Sequence, residues 1–155
     1  MSNIEEFKNS EEFRKIFNEL IEDMECTRSK VPETIGIPYD LFLKISDYGK
    51  IPKPKILVRI ADYFQISLEY LLGRTDDKYF YPTENIKTFQ QRFKELREEK
   101  NMSEYAVTKK LHVSTSYTAT WKKPDYLPSL SYLIIISEIF EVSLDYLLGR
   151  TDDRN

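Results

Sequence analysis

The chain has 155 residues, 41% of them hydrophobic and 32% charged, with a net charge of −3 at neutral pH. This length suits one domain or two small ones, and the apolar fraction is typical of a folded protein. The sequence has one cysteine and one histidine, which allows neither a disulfide framework nor a Cys/His metal cluster nor a conventional catalytic Cys–His pair. We therefore expect a protein that is not an enzyme and binds neither a metal nor a cofactor.

The start of the chain carries no targeting signal that we can identify. It is acidic where a secretory signal is basic and then apolar, and no apolar run approaches the ~20 residues that cross a bilayer. We therefore expect a soluble, cytoplasmic protein without a membrane partner.

A long internal repeat organises the rest of the sequence. The segment SLEYLLGRTDD at Ser67–Asp77 returns as SLDYLLGRTDD at Ser143–Asp153, an offset of 76 residues, and the same offset aligns the upstream residues without a gap. Repeats of this size indicate a duplicated small domain rather than a solenoid. We predict an N-terminal arm (1–10), a first domain (11–77), a linker (78–87) and a second domain (88–155).

Each repeat is predicted to form five short helices. In the first, Pro32 lies within the expected second helix, which should begin late, near Ser29, or be kinked. In the second, Ser103, Ser114 and Ser143 are suited to cap helices. The fourth helix is predicted at Leu130–Phe140 and the third at residues 115–121.

The linker sequence KYFYPTENIK is unlike a flexible tether. Its three aromatic residues, Tyr79, Phe80 and Tyr81, are expected to pack on one or both domains. Ten extended residues reach at most about 36 Å, close to the ~34 Å that separates half-sites one turn apart on DNA.

The second repeat resembles the Cro/cI-type (lambda-repressor-like, XRE) helix-turn-helix family over residues 93–153. The resemblance lies in an ordered set of residues: Leu96-Arg97, Ser103, Lys109-Lys110-Leu111, Val113-Ser114, Trp121, Pro128-Ser129-Leu130 and Val142-Ser143-Leu144. The first repeat resembles the family equally well at its C-terminal end and less well in its middle. The resemblance implies an all-α fold of two tandem five-helix domains, in which the third helix of each reads the major groove.

The resemblance also implies which residues contact DNA. In the second domain the base-contacting residues are Thr115, Ser116, Tyr117, Ala119 and Thr120, and Lys122 and Lys123 meet phosphates. In the first domain the base-contacting residues are Tyr39, Asp40, Leu43 and Lys44, and Arg28 and Lys50 meet phosphates.

Two features depart from the family pattern. His112 occupies the turn where the family has glycine, although histidine tolerates the left-handed conformation better than most residues. Glu104 lies at the start of the second helix, where the family commonly has a glutamine that contacts phosphate, and its carboxylate would repel one.

The charge distribution supports DNA as the partner despite the negative total. The net charge is +4 between Thr27 and Arg59 and +3 between Lys100 and Ser129, which leaves −10 for the remainder. Basic segments of this kind favour salt-dependent attraction to phosphates.

The sequence therefore predicts a sequence-specific transcriptional regulator, most simply a repressor, with double-stranded DNA as partner and no small-molecule effector. A homodimer and an intramolecular pseudo-dimer both remain open. The alternative is a duplicated helix-turn-helix fold that acts as a protein-interaction module, antirepressor-like or antitoxin-like, with weak or no DNA binding. Asp40, Glu104 and the net acidity favour that alternative.

Overall fold

The computed structural model describes residues 9–155, so all but the last two residues of the predicted N-terminal arm lie outside the described part. The chain divides into two compact units between Phe80 and Tyr81, within the predicted linker. The described residues form helices and one isolated bridge between Asn9 and Lys50. Over the same residues, no helix is long and apolar enough to cross a membrane.

Five α-helices and one short 3-10 turn lie within residues 9–80, the described part of unit 1. They are α1 (Glu11–Glu22), the 3-10 turn Arg28–Lys30, α2 (Val31–Ile35), α3 (Tyr39–Tyr48), α4 (Pro54–Phe64) and α5 (Leu68–Leu71). Their apolar faces meet in one core, with Phe13, Phe17, Phe42, Ile45, Leu57, Ile60 and Leu71 almost fully buried.

Proline shapes the second helix of unit 1, as the sequence predicts. Pro32 lies in the first turn of α2. Backbone N–H groups in a first turn have no hydrogen-bond acceptor within the helix, so the N–H that proline lacks costs the helix nothing there. The preceding residues 28–30 form the 3-10 turn instead of a longer helix. The second helix therefore starts at Val31, two residues later than Ser29.

The end of α3 requires a glycine. Gly49 has φ 68°, and its carbonyl accepts a hydrogen bond of 2.8 Å from the backbone N–H of Ser10, the N-cap of α1. A Cβ at this position would collide with the carbonyl oxygen of Ser10, so any side chain here would separate α3 from the start of α1.

Unit 2 also contains five α-helices and a 3-10 turn. They are α6 (Phe89–Glu99), α7 (Glu104–Leu111), α8 (Thr115–Ala119), the 3-10 turn Thr120–Lys122, α9 (Leu130–Phe140) and α10 (Leu144–Leu147). As predicted, the hydroxyls of Ser103, Ser114 and Ser143 accept hydrogen bonds from the first turns of α7, α8 and α10.

Equivalent positions of the repeat have equivalent conformations. Helices α4 and α9, and likewise α5 and α10, begin and end at the sequence offset of the repeat. Gln65 and Glu141 both follow their helices with φ 55°, and Gly36 and His112 occupy the second turn with φ 88° and 56°. The two units differ mainly in the bounds of their second and third helices.

Hydrogen bonds connect the start of unit 2 to its C-terminal segment. Of the three aromatic residues in the predicted linker, Tyr79 and Tyr81 are 78% and 68% exposed and Phe80 is half-buried. Within unit 2, the carbonyl of Tyr81 accepts a 2.6 Å hydrogen bond from the Thr151 hydroxyl, and the N–H of Thr83 donates to Arg150 at 3.0 Å.

Candidate nucleic-acid interface

A tight turn presents the third helix of unit 2. His112 adopts the left-handed conformation at φ 56°, and the following Val113 N–H donates to the carbonyl of Thr108 at 3.2 Å. Ser114 then caps α8 through a 3.2 Å hydrogen bond from the N–H of Tyr117. His112 thus serves in the turn in place of glycine, as its tolerance of positive φ predicts.

One face of α8 and the turn after it anchors the helix in the core. Trp121 is 2% exposed and contacts Phe89 and Phe93 edge-on, with ring centroids 6.3 and 5.9 Å apart. Thr118 is also buried, and its hydroxyl lies 3.3 Å from that of Thr108 on α7. Burial of Thr118 and Trp121 therefore identifies the side of this segment that faces the core.

The outward side of α8 carries part of the predicted base-contacting set. Thr115, Ser116 and Ala119 are exposed. Their two hydroxyls can donate or accept hydrogen bonds, and the methyl groups can contact a thymine methyl. These three residues form the surface that we call the α8 face.

Tyr117 and Thr120 are half-buried. The Tyr117 ring contacts Trp121 and Tyr132 at centroid distances of 6.0 and 5.6 Å. The pKa of Tyr117 is raised to about 12. Burial is the main cause, and the neighbouring hydroxyls of Tyr126 and Tyr132 add to it. The Thr120 hydroxyl donates to the carbonyl of Tyr117 at 2.6 Å, which leaves only its acceptor capacity for a ligand.

Lysines precede and follow the α8 face along the chain. Lys122 and Lys123, both predicted to meet phosphates, are exposed just after the helix. Lys109 and Lys110, at the end of α7, are also exposed. Lys122 lies 3.3 Å from the carboxylate of Glu104.

A glutamine that sequence reasoning missed holds the end of the third helix. The two N–H groups of the Gln90 side chain are shared among three carbonyls, because its Nε2 lies 2.8, 3.0 and 2.8 Å from the carbonyl oxygens of Trp121, Lys123 and Tyr126. At the equivalent position of unit 1, Arg14 Nε donates to the carbonyl of Asp47 at 3.3 Å. In the sequence, this role could be recognised only from the equivalent positions of Arg14 and Gln90 in the repeat, because the two side chains are of different types.

The third helix of unit 1 presents a mixed surface. Tyr39 is 57% exposed, and Asp40 and Lys44 are also exposed, whereas Leu43 is half-buried. Lys50 is exposed beside the bridge to Asn9. A carboxylate therefore stands among the residues predicted to meet bases, whereas the α8 face of unit 2 has none.

Arg28 of unit 1 is held by the end of α3. Its Nη2 donates to the Ser46 hydroxyl at 2.8 Å and lies 3.6 Å from the Asp47 carboxylate. Its guanidinium also stands 5.0 Å from the centroid of the Phe42 ring. The predicted phosphate contact thus already has an anionic partner within the unit.

A comparison with protein families finds a match in unit 2, over the helices described above. Residues 93–147 match the model of a helix-turn-helix family, and the match includes α7, α8 and the turn between them. This segment is therefore similar to helix-turn-helix domains.

A curated bacterial protein shows similarity over part of the chain. This protein, the uncharacterized HTH-type transcriptional regulator YobD of Bacillus subtilis (strain 168), is 30% identical over 63 residues. The alignment covers 41% of this chain and 56% of the relative, so the chain spans little more than half of the relative's length. No solved structure matches.

Proposed function

We propose that this protein is a sequence-specific DNA-binding transcriptional regulator that inserts α8 into the major groove. The observation that carries the proposal is the α8 face, formed by Thr115, Ser116 and Ala119. It is polar, exposed and free of carboxylates, and lysines precede and follow it along the chain. Trp121 and Gln90 hold the helix rigidly behind this face, so the protein meets DNA with a preformed surface.

The lysines supply affinity and the α8 face supplies specificity. Lys109, Lys110, Lys122 and Lys123 would neutralise phosphates and so give a salt-dependent attraction that does not depend on sequence. Hydroxyl and methyl groups on α8 would then distinguish base edges. Repression follows most simply, because a protein that occupies a promoter site blocks polymerase.

We further propose that unit 1 is a second helix-turn-helix domain, with α3 as its reading helix. Support comes from the shared offset of α4 with α9 and from the left-handed turn at Gly36 that matches His112. Tyr39, Asp40 and Lys44 differ from the residues of the α8 face, so two units on adjacent half-sites would select an asymmetric sequence. In a homodimer, by contrast, one unit of each chain would read an inverted repeat.

A selection from a randomised DNA library at several salt concentrations tests the proposal. We expect an enriched motif and a linear fall of log affinity with log salt concentration. Absence of both enrichment and a salt slope would contradict DNA binding by this protein.

One observation favours a second candidate function for unit 1, that of binding another protein. Its α3 carries exposed Asp40 and Asp47 as well as the exposed aromatic residues Tyr39 and Tyr48, a composition better suited to a protein surface than to phosphates. If this candidate is correct, substitutions on α3 leave the enriched DNA motif unchanged, whereas substitutions on α8 alter it.

A further inference from the structure

An internal carboxylate lies among the cations of unit 2. Glu104, in the first turn of α7, is 3.3 Å from Lys122 Nζ and 3.5 Å from Arg97 Nη2 on α6. It therefore links the first helix of the unit to the segment that directly follows the reading helix. We call this three-residue contact the Glu104 bridge.

The bridge leaves Arg97 incompletely satisfied. The Arg97 side chain is only 17% exposed, yet its Nε is buried with no hydrogen-bond partner and its Nη1 reaches the Met102 carbonyl only at 3.4 Å. A buried guanidinium with long contacts retains the capacity to bind another anion.

Space for such an anion exists beside the bridge. The residues that line a cleft of about 320 Å³ include Gln90, Lys94, Arg97, Glu104, Trp121 and Lys122. Three of these residues are cationic and only Glu104 is anionic, so the cleft has a net positive lining. It adjoins Lys122, which our account places against the DNA backbone.

Unit 1 has a polar contact at the equivalent place, with a cation where unit 2 has Glu104. At the repeat offset, Arg28 corresponds to Glu104, and Ser46 and Asp47 correspond to Lys122 and Lys123. Arg28 contacts Ser46 at 2.8 Å and Asp47 at 3.6 Å. In unit 1 the contact runs from the 3-10 turn before α2 to the end of α3, and its cation is Arg28. In unit 2 it runs from the first turn of α7 to the 3-10 turn after α8, and there Glu104 supplies the anion.

We propose that Glu104 competes with DNA phosphate for Lys122 and Arg97 and thereby limits the affinity of unit 2. This inference rests on the proposed function. A phosphate that approaches Lys122 must displace the Glu104 carboxylate or tolerate its negative charge nearby. The carboxylate is partly exposed and such pairs are weak, so phosphate can displace it at moderate cost.

The test is the substitution Glu104→Gln, which keeps the size of the side chain and removes its charge. We expect the variant to bind the selected DNA about two- to fivefold more tightly at low salt. The slope of log affinity against log salt concentration should become more negative by about 0.9, which corresponds to one additional phosphate contact. A thermal unfolding curve checks that the variant is folded.

The matched control is Glu138→Gln, which removes the same charge from an exposed position on α9. Little change in this control, together with a steeper slope for Glu104→Gln, would support the proposal. Equal gains in both variants would overturn it, because net charge alone would then explain the effect. An unchanged or weaker affinity of Glu104→Gln would also overturn it.

Repeating the Glu104→Gln substitution in a Lys122→Ala protein tests whether the gain in affinity depends on the Glu104 bridge. In Lys122→Ala, adding Glu104→Gln should give a smaller gain, because one of the two cations released by the substitution is absent. An undiminished gain would contradict the role of Lys122. If neither the wild-type protein nor Glu104→Gln binds any DNA at any salt concentration, the proposed function itself fails, and the role of Glu104 fails with it.

Discussion

At the residue scale, neighbouring side chains of the third helix have different tasks. Thr118 and Trp121 are buried and position the helix, whereas Thr115, Ser116 and Ala119 are exposed. Identical residue types thus differ in role according to the helix face on which they lie. This division separates substitutions that alter recognition from those that alter stability.

The lysines and the α8 face should respond differently to alanine substitution. Changing both Lys122 and Lys123 to Ala should weaken binding to all sequences alike and reduce the salt slope by about one per lost contact. Changing Thr115 or Ser116 should alter the preferred sequence and leave the slope nearly constant. Affinities for selected and unrelated DNA at three salt concentrations measure both effects.

Lys15→Ala provides the control, because Lys15 is exposed on α1 and no DNA contact is assigned to it. It should change neither preference nor slope appreciably. If the lysine double variant and the Thr115 and Ser116 variants lose affinity in the same pattern, the assignment of phosphate contacts to the lysines and base contacts to α8 is wrong.

Tyr117 gives a prediction about alkaline stability. Burial raises its pKa to about 12 from the ordinary value of 10, so between these values the unfolded chain releases the proton while the folded chain retains it. Stability should therefore fall as pH rises through this range, and Tyr117→Phe should reduce the fall. Thermal midpoints at pH 9 and pH 11 for both proteins measure the difference. Equal falls would show that Tyr117 does not contribute.

At the element scale, local sequence signals predicted the helix starts well. Serines at positions 103, 114 and 143 cap helices because their hydroxyls accept backbone N–H groups within three residues, a purely local interaction. The bounds Leu130–Phe140 of α9 are those predicted, since its apolar sequence ends where Glu141 adopts the left-handed conformation.

The end of the third helix could not be predicted in the same way. The sequence suggested a helix up to Trp121, but α8 ends at Ala119 and a 3-10 turn follows. The side chain of Gln90, which is distant in sequence, hydrogen-bonds to the carbonyls of Trp121 and Lys123. In a longer helix these carbonyls would accept hydrogen bonds from backbone N–H groups. The Glu104 bridge likewise depends on packing between three helices, so a single sequence indicated only that Glu104 was an unfavourable charge.

Gln90→Ala tests the importance of that connection. Loss of its hydrogen bonds to three carbonyls should destabilise unit 2 by about 1–3 kcal/mol and loosen the segment after α8. DNA affinity should fall as Lys122 and Lys123 lose their fixed positions. Chemical denaturation and binding assays measure the two effects.

Glu98→Ala is the control for helix propensity, since Glu98 is exposed on the same helix. A similar loss of stability and affinity in both variants would mean that the Gln90 hydrogen bonds have no special role.

At the scale of the whole molecule, each unit has its own core. Phe89, Leu96, Leu133 and Ile136 are buried within unit 2, as Phe13, Phe17, Leu57 and Ile60 are within unit 1. Two cores in one chain allow two reading helices with unlike surfaces. The repeat in the sequence predicts two domains and leaves open whether unit 1 reads DNA or contacts another protein.

Separating the units tests their independence. Residues 81–155 should fold cooperatively on their own, because the family match and the core of unit 2 both lie within them. The fragment should retain salt-dependent DNA binding over a shorter footprint than the full chain. A footprint of equal length for both proteins would argue against DNA reading by unit 1.

The most direct measurement of the central claim is the NMR chemical shift of each backbone amide as selected DNA is added. Our account predicts that the largest changes in unit 2 fall on residues 109–123, with Thr115, Ser116 and Ala119 among them, and that those in unit 1 fall on residues 38–50. Unchanged signals for α8, with the changes confined to surfaces outside these ranges, would contradict the insertion of this helix into the groove.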